Sequence, residues 1–342
     1  MHLIIQWNRI AIILVAGFLS ACDSPSSDRE APQVYHLRVP AGFPEMVIPE
    51  DNPMTVEAVE LGKLLFYDPI LSEDYTVSCA SCHIQEYAFA DTVAVSAGVH
   101  DDRPGRRNSP SLANVGYQKA LFMEGGVPNL ELQVLAPLGE KSEMDLQIRD
   151  AVKRMKENRA YVDLARKAYQ REIDPWVITN ALAAFERTLI SADSPFDRYY
   201  YQGDKDALSQ SAKNGWKRFQ ALNCNMCHSG PLLTNEGYYN IGLEKEYSDP
   251  GRARLTDDPR DHGKFKVPSL RNVSITAPYM HDGSLKTLDE VLDHFAEGGE
   301  GHPNKSILIT GFELGDTARA ELIAFLESLT DKTFVSNTEY QQ

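Results

Sequence analysis

The sequence predicts a mainly α protein built as a tandem duplication, and three observations carry that reading. The pattern C-x-x-C-H occurs twice, as Cys79-Ala80-Ser81-Cys82-His83 and as Cys224-Asn225-Met226-Cys227-His228. The run Pro110-Ser111-Leu112-Ala113-Asn114-Val115 returns as Pro268-Ser269-Leu270-Arg271-Asn272-Val273, and the same offset carries Glu124-Gly125 onto Asp282-Gly283. Apolar residues recur at helical spacing, as at Ile178, Leu182, Phe185 and Leu189, and no stretch alternates as a strand does. A chain of 342 residues suits two domains of ordinary size. Its 49 acidic and 34 basic residues leave a formal charge of −15, which excludes the electrostatic footprint of a nucleic-acid binder.

Taken in chain order, Arg9 precedes an apolar run from Ile10 to Ala21, too short for the roughly 20 residues that cross a bilayer and suited to an export signal over 1–21. The run ends Leu19-Ser20-Ala21-Cys22, which resembles a bacterial lipobox, with Cys22 acylated after cleavage. Residues 22–44 then read as a polar tether from lipid to globular protein, and the only expected membrane contact is that anchor. The N-terminal domain is expected over 45–200 and the C-terminal domain over 201–335. Each opens with a helix approaching its C-x-x-C-H motif, Gly62–Phe66 in one and Gly215–Phe219 in the other. Asp174-Pro175 starts a helix in cap-then-first-turn order. Thr287 and Glu290 have capping-box spacing, and Leu322, Phe325, Leu326 and Leu329 give a closing helix. The Gly/Pro-rich pieces at 101–110, 228–242 and 247–268 read as loops.

The cysteines carry the chemistry. With Cys22 assigned to the lipobox, the remaining four all fall in C-x-x-C-H, the attachment pattern of a c-type haem. Two thioethers must reach two vinyl groups on one porphyrin edge while the next residue turns its imidazole to the iron. Paired C-x-x-C units can also form a four-thiolate zinc site, but zinc leaves two histidines at one offset unexplained, and an exported chain is where haem is attached. Disulfides across two intervening residues would be strained. Each domain is thus expected to be cytochrome c-like, with one covalent haem held by Cys79, Cys82 and His83, or by Cys224, Cys227 and His228.

Further motifs resemble the bacterial di-haem cytochrome c peroxidases, a family that includes MauG. They are Arg107-Asn108-Ser109-Pro110-Ser111-Leu112, Leu130-Glu131-Leu132-Gln133, and the run from Lys266 to Asn272 leading into Thr276-Ala277-Pro278-Tyr279-Met280-His281-Asp282-Gly283. The resemblance spans roughly residues 45–330. It implies that the first haem reacts with peroxide and the second feeds electrons. The family's distal Gln, Pro and Glu fall on Gln133, Pro137 and Glu143. Pro has no ligating atom, an amide can hydrogen-bond a bound peroxide, and a carboxylate can move its proton. The resemblance also implies a calcium ion held by Asn108, Thr276 and Pro278, whose hard oxygen donors suit it.

Three departures from the family pattern stand beside these matches. The histidine with which the family's peroxidases close the reactive haem falls on Val99 or His100, depending on the direction of counting. The family's inter-haem Trp falls on Met123. The sixth ligand of the second haem, a Met or Tyr in relatives, falls on Phe295, which cannot bind iron. His294 is the nearest alternative, with His262, His302 and Met280 in the same half. The expected function is a periplasmic peroxidase that reduces hydrogen peroxide with electrons from a small cytochrome c or copper protein. A MauG-like oxidation of a partner protein's side chains is the alternative. A pure electron carrier is a further reading, disfavoured by the intact set Gln133, Pro137 and Glu143.

Overall fold

Two helix pairs organise the chain in the computed structural model, which describes residues 31–342. The export signal and Cys22 lie outside the described residues. Helix α1 (Val56–Tyr67) starts where the Thr55 side chain accepts from the Ala58 N–H and buries Ala58, Leu61, Gly62, Leu65 and Phe66. Four short helices follow: α2 (Cys79–Cys82), α3 (Leu130–Gln133), α4 (Leu135–Gly139) and α5 (Ile148–Glu157). Next come α6 (Arg159–Tyr169) and α7 (Pro175–Arg187). Asp174 caps α7 as its spacing predicts, accepting from the Val177 N–H at 2.9 Å. The expected stripe of Ile178, Leu182 and Phe185 is buried, but so is every residue from Val177 to Arg187. That helix is the centre of the first core, with α1, α3 and α5 around it, so a one-sided stripe understates its burial.

The second half repeats the device. Helix α8 (Pro195–Tyr200) leads to α9 (Gln210–Ala221), the short α10 (Ala253–Thr256), α11 (Leu288–Glu297) and α12 (Asp316–Glu327). A Cβ on Gly62 would stand 1.9 Å from the Ala181 carbonyl oxygen, and one on Gly215 would stand 1.9 Å from that of Glu321. Only glycine lets either pair approach so closely. Phe66 meets Phe185 at 5.2 Å between centroids beside the first crossing, and Phe219 meets Phe325 at 5.0 Å beside the second.

The repeated asparagines tie the halves together. Asn114 and Asn272 both take φ of +61° and cap one-turn helices, a conformation that Asn tolerates better than most residues. The Asn114 Nδ2 donates to the Ser191 carbonyl at 2.9 Å and that of Asn272 to the Ser191 hydroxyl at 3.0 Å. Asp331 adds bonds from the Ala192 and Asp193 N–H groups. The chain passes from one core to the other between Leu189 and Phe196. Arg271 and Asp197, both 2% exposed, close a two-fold hydrogen-bonded ion pair there at 2.8 Å. Losing either partner alone would strand a buried charge at a cost of about 3–5 kcal/mol.

Leu322, Phe325, Leu326 and Leu329 are buried as the closing-helix reading requires. The chain then continues through α13 (Lys332–Val335) and returns to the first core, where Phe334 and Tyr340 are buried. Gln85 donates to the Asn337 carbonyl at 2.8 Å and Tyr67 to that of Tyr340 at 2.7 Å. At the expected capping box, Thr287 does accept from the Glu290 N–H, but Glu290 accepts in return from the Lys286 N–H. Among the described residues the named strands are β1 (Tyr238–Tyr239) and β2 (Phe265–Lys266), paired antiparallel. No helix among them is long and apolar enough to cross a membrane.

Candidate haem sites and the distal cluster

Both C-x-x-C-H segments fold into the same local turn. The His83 N–H donates to the Cys79 carbonyl and the His228 N–H to that of Cys224, each at 3.0 Å. The His83 Nδ1 lies 2.8 Å from the Phe89 carbonyl oxygen and the His228 Nδ1 3.2 Å from that of Leu233. A carbonyl only accepts, so Nδ1 carries the proton and the Nε2 lone pair is left for a metal. Phe89 and Leu233 both hold positive φ, +59° and +52°, so each half spends a strained residue on orienting its imidazole. Burial lowers the pKa of both rings, that of His228 to about 4, which favours the neutral, ligating form.

The four cysteines of the two motifs form no disulfide. Cys79 packs on the first core and Cys224 on the second, and among the described residues no cysteine joins a metal-capable cluster of three or more side chains. A four-thiolate zinc site is therefore not assembled. Unpaired thiols beside a histidine with a free Nε2, once in each core, fit a covalent haem. Cys79, Cys82 and His83 would hold one and Cys224, Cys227 and His228 the other.

Of the distal candidates, Glu143 stands near the first motif, and Gln133 and Pro137 lie on the two short helices that precede it. Asn129 caps α3, accepting from the Leu132 N–H at 3.0 Å, and Gln133 closes that helix. Pro137 lies in α4, and the turn after it carries Glu143. The Glu143 carboxylate is close enough to Cys79 and Cys82 to raise the pKa of both thiols. Its side chain is exposed, yet crowding around its carboxyl raises its own pKa above the ordinary value, and Glu140 adds to the shift.

The remaining candidates fall as follows. The Asn108 N–H donates to the His281 carbonyl at 2.8 Å, which joins the segment of Asn108 to that of Thr276 and Pro278. Its side-chain amide donates to the Val93 carbonyl at 3.0 Å. The His294 Nε2 lies 3.2 Å from the Ile241 carbonyl oxygen, with Phe295 next to it on α11. His262 and His302 stack on each other, 5.9 Å apart. Met123 lies where the halves meet: its carbonyl accepts from the Lys266 N–H at 2.6 Å. The Lys266 amine is buried between Gln118 and the Ala120 carbonyl, and burial lowers its pKa to about 8. His100 is engaged at 2.8 Å by Asp145.

Two carboxylates were given no role from the sequence, and of these Glu186 lies near the first motif. Glu186 is buried on α7, with Oε2 lacking a partner and its pKa pushed up to about 8 by burial, and it raises the pKa of Cys79. Glu131 accepts from Arg187 at 3.0 Å and from Asn52 at 2.8 Å. The adjacent charges Glu186-Arg187 inside an apolar helical run were the available signal.

The chain matches the family described as di-haem cytochrome c peroxidase over residues 56–206. It is 36% identical over 326 residues to the methylamine utilization protein MauG of Methylorubrum extorquens, covering 93% of this chain and 90% of that protein. It is 34% identical to the cytochrome-c peroxidase IdrP1 of a Pseudomonas species, covering 85% of each. Among solved structures, a MauG-like protein associated with microbial copper homeostasis superposes with a TM-score of 0.84 at 33% identity. That match covers 90% of this chain and 99% of the other.

Proposed function

The chain belongs to the di-haem cytochrome c peroxidase family, and from that premise we propose that it reduces hydrogen peroxide to water at the haem of His83. Electrons arrive through the haem of His228 from a small cytochrome c or copper protein. Peroxidase chemistry and two c-type haems follow from the family. The assignment of roles within this chain is carried by one observation: Gln133, Pro137 and Glu143 lie on a single α3–α4–turn unit whose carboxylate stands beside Cys79 and Cys82.

A haem held by Cys79, Cys82 and His83 would supply an iron that exchanges single electrons with peroxide. Pro137 presents only a hydrocarbon ring and would offer that iron no ligand. Gln133 hydrogen-bonds the peroxide and holds it in place. Glu143 takes the proton from one peroxide oxygen and delivers it to the other as the O–O bond breaks. Two electrons and two protons per peroxide then yield two waters.

In this reading the chain is a tandem duplication with one cytochrome c domain on each core, the chain crossing between Leu189 and Phe196, and calcium binds at Asn108, Thr276 and Pro278. It is exported to the periplasm, cleaved after residue 21 and anchored through Cys22. At the second haem Phe295 offers no ligand. His294 would be the side chain to hold that iron, which requires its Nε2, now donating to the Ile241 carbonyl, to give up that proton and bond.

A second reading, peroxide-driven oxidation of side chains on a partner protein, is favoured by the similarity to MauG and to the MauG-like structure. Steady-state assay separates the two. With hydrogen peroxide and a reduced small cytochrome c, the holoprotein is expected to oxidise two cytochromes per peroxide. Peroxide-reactive haem with no cytochrome oxidation would favour the second reading.

A further inference from the structure

Two loops converge on the turn that carries Glu143. Within the turn, the Glu143 and Asp145 N–H groups donate to the Glu140 carbonyl at 3.0 and 3.1 Å, and the Leu146 N–H donates to that of Leu138 at 2.8 Å. From outside, the Val99 N–H donates to the Glu143 carbonyl at 2.9 Å and the Glu73 N–H to that of Met144 at 2.8 Å. Gly98 lies so close that a Cβ there would come within 2.2 Å of the Ser142 carbonyl oxygen. Asp145 holds φ of +45°, a conformation costly for a residue with a Cβ.

His100 sits where these loops meet. Its Nε2 lies 2.8 Å from Asp145 Oδ2 and 3.2 Å from Glu73 Oε2. Carboxylates accept, so Nε2 donates and offers no lone pair to an iron. Arg154 fixes the Glu73 loop from α5, donating to the Ser72 and Glu73 carbonyls at 2.5 and 2.7 Å. Arg103 stands 3.6 Å from Asp145, supplying positive charge where a metal cation would otherwise be needed to balance the two carboxylates. Asp74 is the other charged group close enough to feel His100.

We propose that His100 is a positioning residue: by clamping Asp145 and Glu73 it fixes the turn that aims Glu143, and it does not close the haem of His83. This rests on the role given to Glu143 above. The clamp explains why Asp145 keeps a strained backbone two residues from the acid–base group. It also explains why a histidine stands on this loop while its ring nitrogen is committed elsewhere.

The test uses the holoprotein with His100→Ala, His100→Gln and Glu143→Gln variants. His100→Ala is expected to lower kcat for peroxide about 10- to 100-fold, the scale of a misplaced catalytic group, with KM little changed. Gln, which can still donate to Asp145, is expected to restore most of it. In the Glu143→Gln background His100→Ala is expected to cost nothing further. Two measurements do not depend on turnover. Amide hydrogen exchange over residues 138–147 is expected to quicken in His100→Ala, and the electron paramagnetic resonance signal of the His83 haem is expected to stay unchanged. Unaltered exchange, a full loss repeated in the Glu143→Gln background, or a low-spin signal that becomes high-spin on losing His100 would each overturn the proposal. Failure of the wild type to turn over peroxide, with the exchange result intact, would instead count against the proposed function.

Discussion

Replacing Glu143 by Gln is expected to lower peroxide turnover by about 10²- to 10⁴-fold, the range that a positioned acid–base group contributes, while both haems stay attached. Gln keeps the shape and the hydrogen bonding but cannot carry a proton between the two oxygens. The pH profile gives an independent reading of the same group. Glu143 must be ionised to take the first proton, and its crowded setting with Glu140 nearby raises its pKa. Wild-type turnover should therefore fall on acidification along a limb lying above the ordinary carboxylate pKa of 4.5. In Glu143→Gln that limb should vanish along with the rate. Unchanged turnover in the variant would move the proton transfer to another residue, Glu186 being the nearest buried carboxyl with a raised pKa.

Cysteine pairs are expected to control haem content independently, because the two motifs pack on separate cores. Cys79→Ala with Cys82→Ala should leave one haem per chain by pyridine haemochrome assay and abolish peroxide turnover. Cys224→Ala with Cys227→Ala should also leave one haem, keep a peroxide-reactive site and stop cytochrome oxidation. The halves also share an interface, through Asn114, Asn272 and Ser191, so circular dichroism should accompany each count. Loss of both haems from either double variant would show that the two sites mature together. Zinc in place of iron in the wild type would remove the basis of both assignments.

What the sequence revealed and what it withheld divide along physical lines. The C-x-x-C-H turns, the helix leading to each of them and the Asp174-Pro175 cap were legible because each is a local requirement of geometry or valence, whereas the close crossings at Gly62 and Gly215 appear only in the fold. The burial of α7 on every side was not, because helical spacing reports a face and cannot say how many neighbours surround it. The return of Phe334 and Tyr340 to the first core was equally hidden, since their partners lie far away in sequence: Tyr340 donates to the Thr188 carbonyl at 2.8 Å. At the site, Gln133, Pro137 and Glu143 were nominated through family spacing. The clamp of His100 on Asp145 and Glu73 was invisible, because three separate loops assemble it. Glu186 carried a faint signal as a charge within an apolar helix, and only the fold shows it unpartnered beside Cys79.

The two haems must differ if one meets peroxide and the other receives electrons. Electron paramagnetic resonance of the fully oxidised wild-type holoprotein tests this most directly, since it counts both irons at once. The expected spectrum holds one high-spin signal, from the haem that His83 would hold, and one low-spin signal of equal integrated intensity, from the haem that His228 would hold if His294 also binds that iron. Two high-spin signals would show that Phe295 leaves the second haem without a ligand and would contradict its assigned role, and two low-spin signals would show that the haem beside Glu143 is closed to peroxide.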